Sequence, residues 1–163
     1  MCPAGEKRPG RRWVSYILGS MWKGLATMDE HAHKVEKHKA IMRRLFEEAL
    51  RQGKLELIET LFSSDFIDHS TPEQAPGYAG VKEYFLELRR GFPDLQVVLE
   101  DIIAEGDRVV VRTSWHGTHL GVYEGVAPTG RKVTRTLIQI FRIADGLIAE
   151  EWNEGPGLLH TIF

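Results

Sequence analysis

The spacing of apolar residues changes once along this chain, and that change restricts the possible fold more than any other feature. Up to residue 90, apolar side chains recur at every third or fourth position in several segments, which indicates amphipathic helices. From Leu95 onward they recur at every second position, which indicates strands. Because helices and strands occupy separate parts of the sequence, the pattern predicts an α+β domain and not alternating βαβ units.

The helical part and the strand part can each be divided further. A short extended segment, DFIDHS at 65–70, interrupts the helices, and four strands then follow as a meander with turns at GD, APTG and DG. Three helices packed in a curved antiparallel sheet would form a cone with one open end, where a small molecule would bind. The predicted helices are 30–52, 55–62 and 80–90, with Asp29 able to cap the start of the first helix and Gly53 its end.

A chain of 163 residues is expected to form one domain. We assign residues 1–28 to a flexible leader and residues 29–163 to the domain. The basic residues at 7–12 and the WVSYILGSMW segment faintly resemble a signal peptide, but serines and a glycine interrupt the apolar run. The alternative is a leader produced by an early start codon, with Met21 or Met28 as the later start.

Charge and composition exclude several classes of protein. A net charge of −2 is too balanced for a general nucleic-acid binder. No run of about 18 apolar residues is present, so no membrane-spanning segment is expected. The single cysteine, Cys2, cannot form an intrachain disulfide, which fits a cytoplasmic location.

The usual signatures of metal, cofactor and covalent chemistry are not found in the sequence. GVAPTGRK at 125–132 resembles a phosphate-binding loop, but Arg131 occupies the lysine position and a strand follows it. There is neither a Rossmann glycine fingerprint nor a G-x-S-x-G elbow. His31 and His38 could share a helix face but have no evident third ligand. The sequence therefore predicts neither a metal site nor a cofactor.

A polar cluster is predicted where the last two strands meet. Glu151 and Asn153 share one face of the last strand, and Leu137, Gln139 and Phe141 share one face of the strand before it. If Glu151 and Asn153 face inward, they join Gln139 in an apolar chamber. Burial there would raise the pKa of Glu151 and suit it to proton transfer near neutral pH. The alternation alone leaves the opposite orientation open, with Glu151 in solvent beside a surface cation.

Histidines and aromatic residues complete the predicted site. His69 ranks first as a base or hydrogen-bond donor, because the short extended segment should reach the mouth of the cone. His116, which comes near the end of a strand, is assigned to the rim of the ligand site. The apolar walls are assigned to Tyr84, Phe85, Trp115, Leu137 and Phe141, although helical spacing also allows Tyr84 and Phe85 to belong to the core.

Four segments resemble the SnoaL-like polyketide cyclase family, whose members have the nuclear-transport-factor-like cone fold. These segments are LFEEALRQGKLELIETLFSSDFIDHS, FPDLQVVLEDIIAEGDRVVVR, GTHLGVYEGVAPTGRKV and IFRIADGLIAEEW, and the resemblance covers about residues 35–160. The resemblance implies a cyclase without metal or cofactor. Such a cyclase closes a ring by an intramolecular aldol condensation on a polyketide ester.

The resemblance also implies roles for individual residues. The family aspartate that takes the α-proton falls on Asn153, and the glutamine and histidine of the family pocket fall on Leu137 and Gln139. Because an amide cannot act as a carboxylate base, we expect Glu151 or His69 to supply the base. Asn153 and Gln139 are then expected to hold the developing enolate oxygen.

Two functions are compatible with these residues. The first is a cofactor-free SnoaL-like enzyme, of cyclase or lyase type, that uses acid–base chemistry on a small apolar carbonyl compound. The second is a non-catalytic small-molecule-binding protein of the same fold. Asn153 favours the binding protein, whereas Glu151 and His69 favour the enzyme. Relatives of this fold commonly pair through the outer face of the sheet, so we expect a homodimer with Trp152 at the contact, and no nucleic-acid or membrane partner.

Overall fold

The computed structural model describes residues 12–71, 74–157 and 162, with side chains described from residue 28 onward. The chain divides into two compact units, Met1–Lys34 and Val35–Phe163. The described part of the first unit is helical, and the second unit contains the sheet. Cys2 lies outside the described residues, and the assignment of 1–28 to a leader stays a prediction. No described helix is both long enough and apolar enough to cross a membrane.

The first helix is longer than the sequence pattern predicted. Helix α1 (Arg12–Arg43) continues directly into a π-helical segment (Arg44–Arg51). Asp29 therefore lies inside the helix and does not cap its start. The C-terminal end agrees with the prediction, because Gly53 adopts a φ of +76° just after the helix. The buried side chains of this region recur at helical spacing: Met42, Leu45, Phe46, Ala49 and Leu50.

Two further helices follow in the described residues between 52 and 91. A single 3-10 turn (Leu55–Leu57) leads into the short helix α2 (Ile58–Leu61), and helix α3 (Gly77–Gly91) follows the first strand. Val81 and Leu88 are buried on α3, whereas Tyr84 and Phe85 are only partly buried against the same core. The predicted order of three helical segments is thus confirmed.

In the described part of the chain, five strands form one sheet in the order β1-β5-β4-β3-β2. The last four pair as the predicted antiparallel meander, and β1 adds to its edge parallel to β5. The turn between β4 and β5 has φ values of +51° at Asp145 and +79° at Gly146, as a two-residue type I′ hairpin requires. The strands are β1 (Phe62–Asp68), β2 (Gln96–Glu105), β3 (Arg108–Thr118), β4 (Lys132–Ala144) and β5 (Leu147–Glu154).

Strict alternation along β4 determines what faces the interior. Every second residue from Val133 to Ile143 is buried, and the residues between them are exposed or partly exposed. Most of the buried row is apolar, but Arg135 and Gln139 belong to it, with 7% and 5% of their surface exposed. Because period-two alternation gives β4 no other way to place them, two polar side chains enter the interior of the cone.

Candidate functional site

A cavity of about 420 Å³ lies in the unit Val35–Phe163, between the helices and the inner face of the sheet. Its polar lining includes Asp68, Arg135, Gln139, Glu151 and Asn153. Within the described side chains, no group of three or more His, Cys, Asp or Glu residues could hold a metal ion. The apolar lining includes Leu45, Phe46, Phe66, Val81, Tyr84, Phe85, Trp115, Leu137 and Phe141. A cavity that combines apolar walls with convergent polar groups is typical of small-molecule sites.

The structure brings together three of the four predicted catalytic residues. Across β4 and β5, Gln139 pairs with Asn153, and Phe141 pairs with Glu151. Gln139, Glu151 and Asn153 all line the cavity, so the inward orientation left open by the sequence is the one observed. The five aromatic and aliphatic wall residues predicted from the sequence line the same cavity.

Glu151 is the titratable group at the centre of this polar cluster. The Gln139 amide donates a hydrogen bond of 2.7 Å from Nε2 to Glu151 Oε1. Burial, followed by the negative charge of Asp68, raises the pKa of Glu151 from 4.5 to about 8. Hydrogen bonds from Gln139 and Asn153 and the charge of Arg135 oppose this shift. Solvent reaches part of Glu151 through the cavity, yet loss of hydration remains the main cause.

A chain of buried hydrogen bonds fixes the orientation of the Gln139 amide. Trp115 Nε1 donates to Thr113 Oγ1 at 2.9 Å, and Thr113 Oγ1 donates to Gln139 Oε1 at 3.0 Å. With its oxygen occupied, Gln139 presents its amide nitrogen to Glu151. Thr113 was not among the predicted site residues. It could have been found from alternation, because it lies two positions before Trp115 on the same strand face.

Asp68 is a second cavity carboxylate that the sequence analysis missed. It ends β1, where the parallel pairing with β5 places it beside Glu151. Its Oδ1 accepts a 2.8 Å hydrogen bond from the backbone N–H of Ser70. The alternation in DFIDHS contained the signal, because Phe66 is buried and Asp68 follows two residues later. Two neighbouring carboxyl groups in one cavity are a common arrangement for moving a proton.

His69 does not line the same cavity as Glu151, against expectation, but lines a second pocket that shares Asp68 with it. Alternation along β1 turns His69 away from the side of Asp68, and its ring stacks on Trp152 with centroids 4.5 Å apart. His69 Nε2 lies 2.9 Å from Glu150 Oε2, and Arg142 Nε donates to the other carboxylate oxygen at 2.6 Å. The His69 side chain thus belongs to an ionic and aromatic cluster outside the cavity, and only its backbone N–H contacts Glu151, by donating to the backbone oxygen at 2.9 Å.

The assignment of His116 to the ligand site is also wrong. His116 is exposed, and its Nδ1 lies 3.2 Å from the Oγ1 of Thr134 on the neighbouring strand. Trp115, its neighbour in sequence, is buried and lines the cavity. Because adjacent strand residues point to opposite faces, only one of the two could enter the cavity.

Arg135 is a further charged cavity residue that the sequence analysis missed. Its guanidinium carbon lies 4.6 Å from the centre of the Trp115 ring, and its Nη2 lies 3.4 Å from the Tyr84 hydroxyl oxygen. The alternation in KVTRTLIQIF contained this signal as well, because Arg135 is spaced by two from Val133 and Leu137. A permanent positive charge therefore lines the same cavity as Glu151.

Comparison with known proteins agrees with the fold described above. The model of the SnoaL-like polyketide cyclase family matches residues 40–155. TsrD from Streptomyces laurentii is 26% identical over 78% of this chain and 95% of its own, with a TM-score of 0.71. AclR, a proposed hydroxylase from Streptomyces galilaeus, is 30% identical over 75% of this chain and 90% of its own, with a TM-score of 0.65. IdmH, a proposed polyketide cyclase from Streptomyces antibioticus, is 28% identical over 77% of this chain and 97% of its own, with a TM-score of 0.64. No curated protein matches the chain.

Proposed function

Since the chain belongs to the SnoaL-like polyketide cyclase family, we propose that it is an enzyme. It would use acid–base chemistry, without a cofactor, on a small, mostly apolar carbonyl compound. The observation that carries this proposal is Glu151, a carboxyl group that lines the cavity with its pKa raised to about 8. A group whose pKa lies near the working pH can both take and return a proton.

The proposed reaction starts with the ionised form of Glu151. Its carboxylate takes the acidic α-proton, and the electron pair of the broken C–H bond moves onto the carbonyl oxygen to form an enolate. The enolate carbon then attacks a second carbonyl of the same molecule and forms the new C–C bond. The resulting alkoxide recovers the proton from Glu151, so no external acid, base or oxidant is consumed.

Two amides support this sequence of steps. In the resting site, Asn153 and Gln139 both hydrogen-bond to Glu151. Once Glu151 accepts the proton, it loses its negative charge and attracts these donors less strongly. The amide N–H groups can then stabilise the oxygen on which the charge has developed. Asn153 thus acts as a hydrogen-bond donor in place of the aspartate that the family resemblance implies at this position.

Asp68→Asn is expected to move the pH–rate profile of the enzyme to lower pH. The wild type should show a rate limb that rises with pH around pH 8, because only the ionised form of Glu151 can act as the base. Removing the charge of Asp68 removes one cause of the raised pKa, so Glu151 ionises at lower pH. The measurement is kcat/KM against pH. Asp65→Asn, which replaces an exposed residue of the same strand, is the control and should leave the midpoint of the pH–rate profile unchanged.

The direct test of the proposed function is turnover of a tricyclic keto-ester, followed by product mass spectrometry and ring-fusion absorbance. An aldol ring closure gives a product of unchanged mass, or of the mass less one water. A gain of one oxygen would instead favour a hydroxylase activity of the kind proposed for AclR. If the compound binds but no product forms at any pH, the acid–base assignment is contradicted.

A non-catalytic binding protein of the same fold is the second candidate, and Asn153 is the observation that favours it. The binding protein would saturate with ligand and release no product, and Asn153→Asp would create turnover that the wild type lacks. The enzyme would turn over with Asn153 in place. Comparing the wild type with Asn153→Asp on the same keto-ester therefore separates the two candidates.

We also propose that the chain is a cytoplasmic homodimer that pairs through the outer face of the sheet. Ile138 and Ile140 of β4 lie on that face with 52% and 40% of their surface exposed. Trp152 is directly opposite Ile140 on β5. Adjacent apolar side chains on an exposed face are typical of protein contacts. Sedimentation analysis of the full chain would measure the association.

A further inference from the structure

The guanidinium of Arg135 is held inside the cone and faces the cavity. Only 7% of the residue is exposed, and it lines the cavity beside Tyr84 and Trp115. Its guanidinium carbon lies over the Trp115 ring, where a cation is attracted to the face of the indole. The hydroxyl of Tyr84 accepts one long hydrogen bond, of 3.4 Å, from Nη2.

The hydrogen-bonding capacity of this guanidinium is largely unused. Nε of Arg135 is buried and has no hydrogen-bond partner among the residues that the structure describes. Among the described side chains, no carboxylate lies within 4 Å of Arg135 to form an ion pair. An arginine cannot lose its charge in a protein, and a buried charge without a partner is costly. Retaining one at this place therefore indicates a partner that arrives with the ligand.

We propose that the cavity binds a carbonyl compound bearing a carboxylate, and that Arg135 binds this carboxylate while the carbonyl lies at Gln139 and Glu151. A carboxylate matches the planar, forked donors of a guanidinium better than any neutral group does. Arg135 and Gln139 are four residues apart on β4, which separates their Cα atoms by about 13 Å. The proposal rests on the proposed function only in identifying which end of the ligand reacts.

The other charges of the cavity set the direction in which such a ligand binds. Asp68 carries its charge at the Glu151 end, where it repels a ligand carboxylate. Glu124 also lines the cavity but is exposed to solvent, where its charge is better screened. The carboxylate of the ligand is therefore directed toward Arg135, and its neutral carbonyl end toward Glu151.

A matched pair of probes tests the proposal by isothermal titration calorimetry. The probes are 4-oxo-4-(2-naphthyl)butanoate and its primary amide, which have nearly the same shape and differ in charge. The wild type should bind the acid at least about tenfold more tightly than the amide, as a charge-assisted hydrogen-bonded pair predicts. Arg135→Met keeps an apolar chain on Trp115 and should abolish this preference. Arg112→Met removes an exposed cation and should leave it unchanged.

The possible outcomes either support or overturn the carboxylate subsite. Equal affinity for acid and amide in the wild type, no binding of the acid at millimolar concentration, or a preference that persists in Arg135→Met would overturn it. If Arg135→Met does not fold by circular dichroism, Arg135→Lys replaces it and should retain a weaker preference for the acid. Glu151→Gln should keep the full preference, so failure of the proposed catalysis and failure of the subsite remain distinguishable.

Discussion

Glu151→Gln is expected to lower kcat by about 100- to 10,000-fold, the usual contribution of a positioned general base. The substitution keeps the size of the side chain and its ability to bond to Gln139. It removes the carboxylate that accepts the proton, since an amide oxygen is too weak a base. The measurement is single-turnover formation of the ring-closed product from the keto-ester at pH 8. Because the substitution leaves the size of the side chain and the neighbouring Gln139 and Asn153 unchanged, the affinity for the substrate should change little.

The matched control is Glu154→Gln, an exposed glutamate on the same strand. It should keep wild-type turnover, because Glu154 does not line the cavity. The two variants should also differ in how their free energy of unfolding depends on pH. Glu151 binds its proton more tightly in the folded chain than in the unfolded chain, so wild-type stability falls as pH rises from 4.5 toward 8. Glu151→Gln should lose this pH dependence of stability, whereas Glu154→Gln should keep it. Full turnover in Glu151→Gln would exclude Glu151 as the base.

Phe141→Ala is expected to lower the free energy of unfolding by about 3–5 kcal/mol, which is the usual cost of removing a buried phenylalanine. Phe141 is 1% exposed and lies on the inward row of β4. Its ring meets that of Phe46 edge to face, with centroids 6.2 Å apart, and so joins the sheet to the π-helical segment. Urea denaturation followed by circular dichroism gives the measurement.

Phe141→Ala should also change the chemistry of the site. Phe141 is paired across the sheet with Glu151, and its ring contributes to the apolar lining of the cavity. The smaller side chain admits water, which weakens the main cause of the raised pKa of Glu151. Ile103→Ala, on an exposed residue of β2, is the control and should cost well under 1 kcal/mol. An equal loss of unfolding free energy in Phe141→Ala and Ile103→Ala would contradict the role assigned to Phe141.

Local sequence patterns predicted most of the fold but not its longest-range pairing. The meander follows from period-two alternation and from tight turns such as Asp145–Gly146, which are local signals. The parallel pairing of β1 with β5 joins Asp68 to Glu151, which are far apart in sequence. No local pattern encodes such a contact. The start of α1 was missed for a related reason, because Asp29 has the chemistry of a cap but lies within a continuous helix.

Site residues were predicted correctly where the alternation of a single strand determines their orientation. They were missed where the contact depends on two elements that are far apart in sequence. Gln139 and Asn153 were found from alternation within their own strands. Asp68 was missed because its importance depends on a neighbour from the far end of the chain. His69 was wrongly favoured on residue type, since histidine is the usual proton carrier near neutral pH. Applying the alternation of β1 to both residues would have placed Asp68 inside and His69 outside.

The central claim is that Glu151 holds its proton up to about pH 8 inside the cavity. The most direct measurement is a pH titration of the side-chain carboxyl carbons by NMR in protein labelled at glutamate, with Glu151→Gln to identify the signal. The signal absent from Glu151→Gln is expected to titrate with a midpoint near pH 8. A midpoint in the ordinary glutamate range, near pH 4.5, would contradict the raised pKa and leave the cavity without its acid–base group.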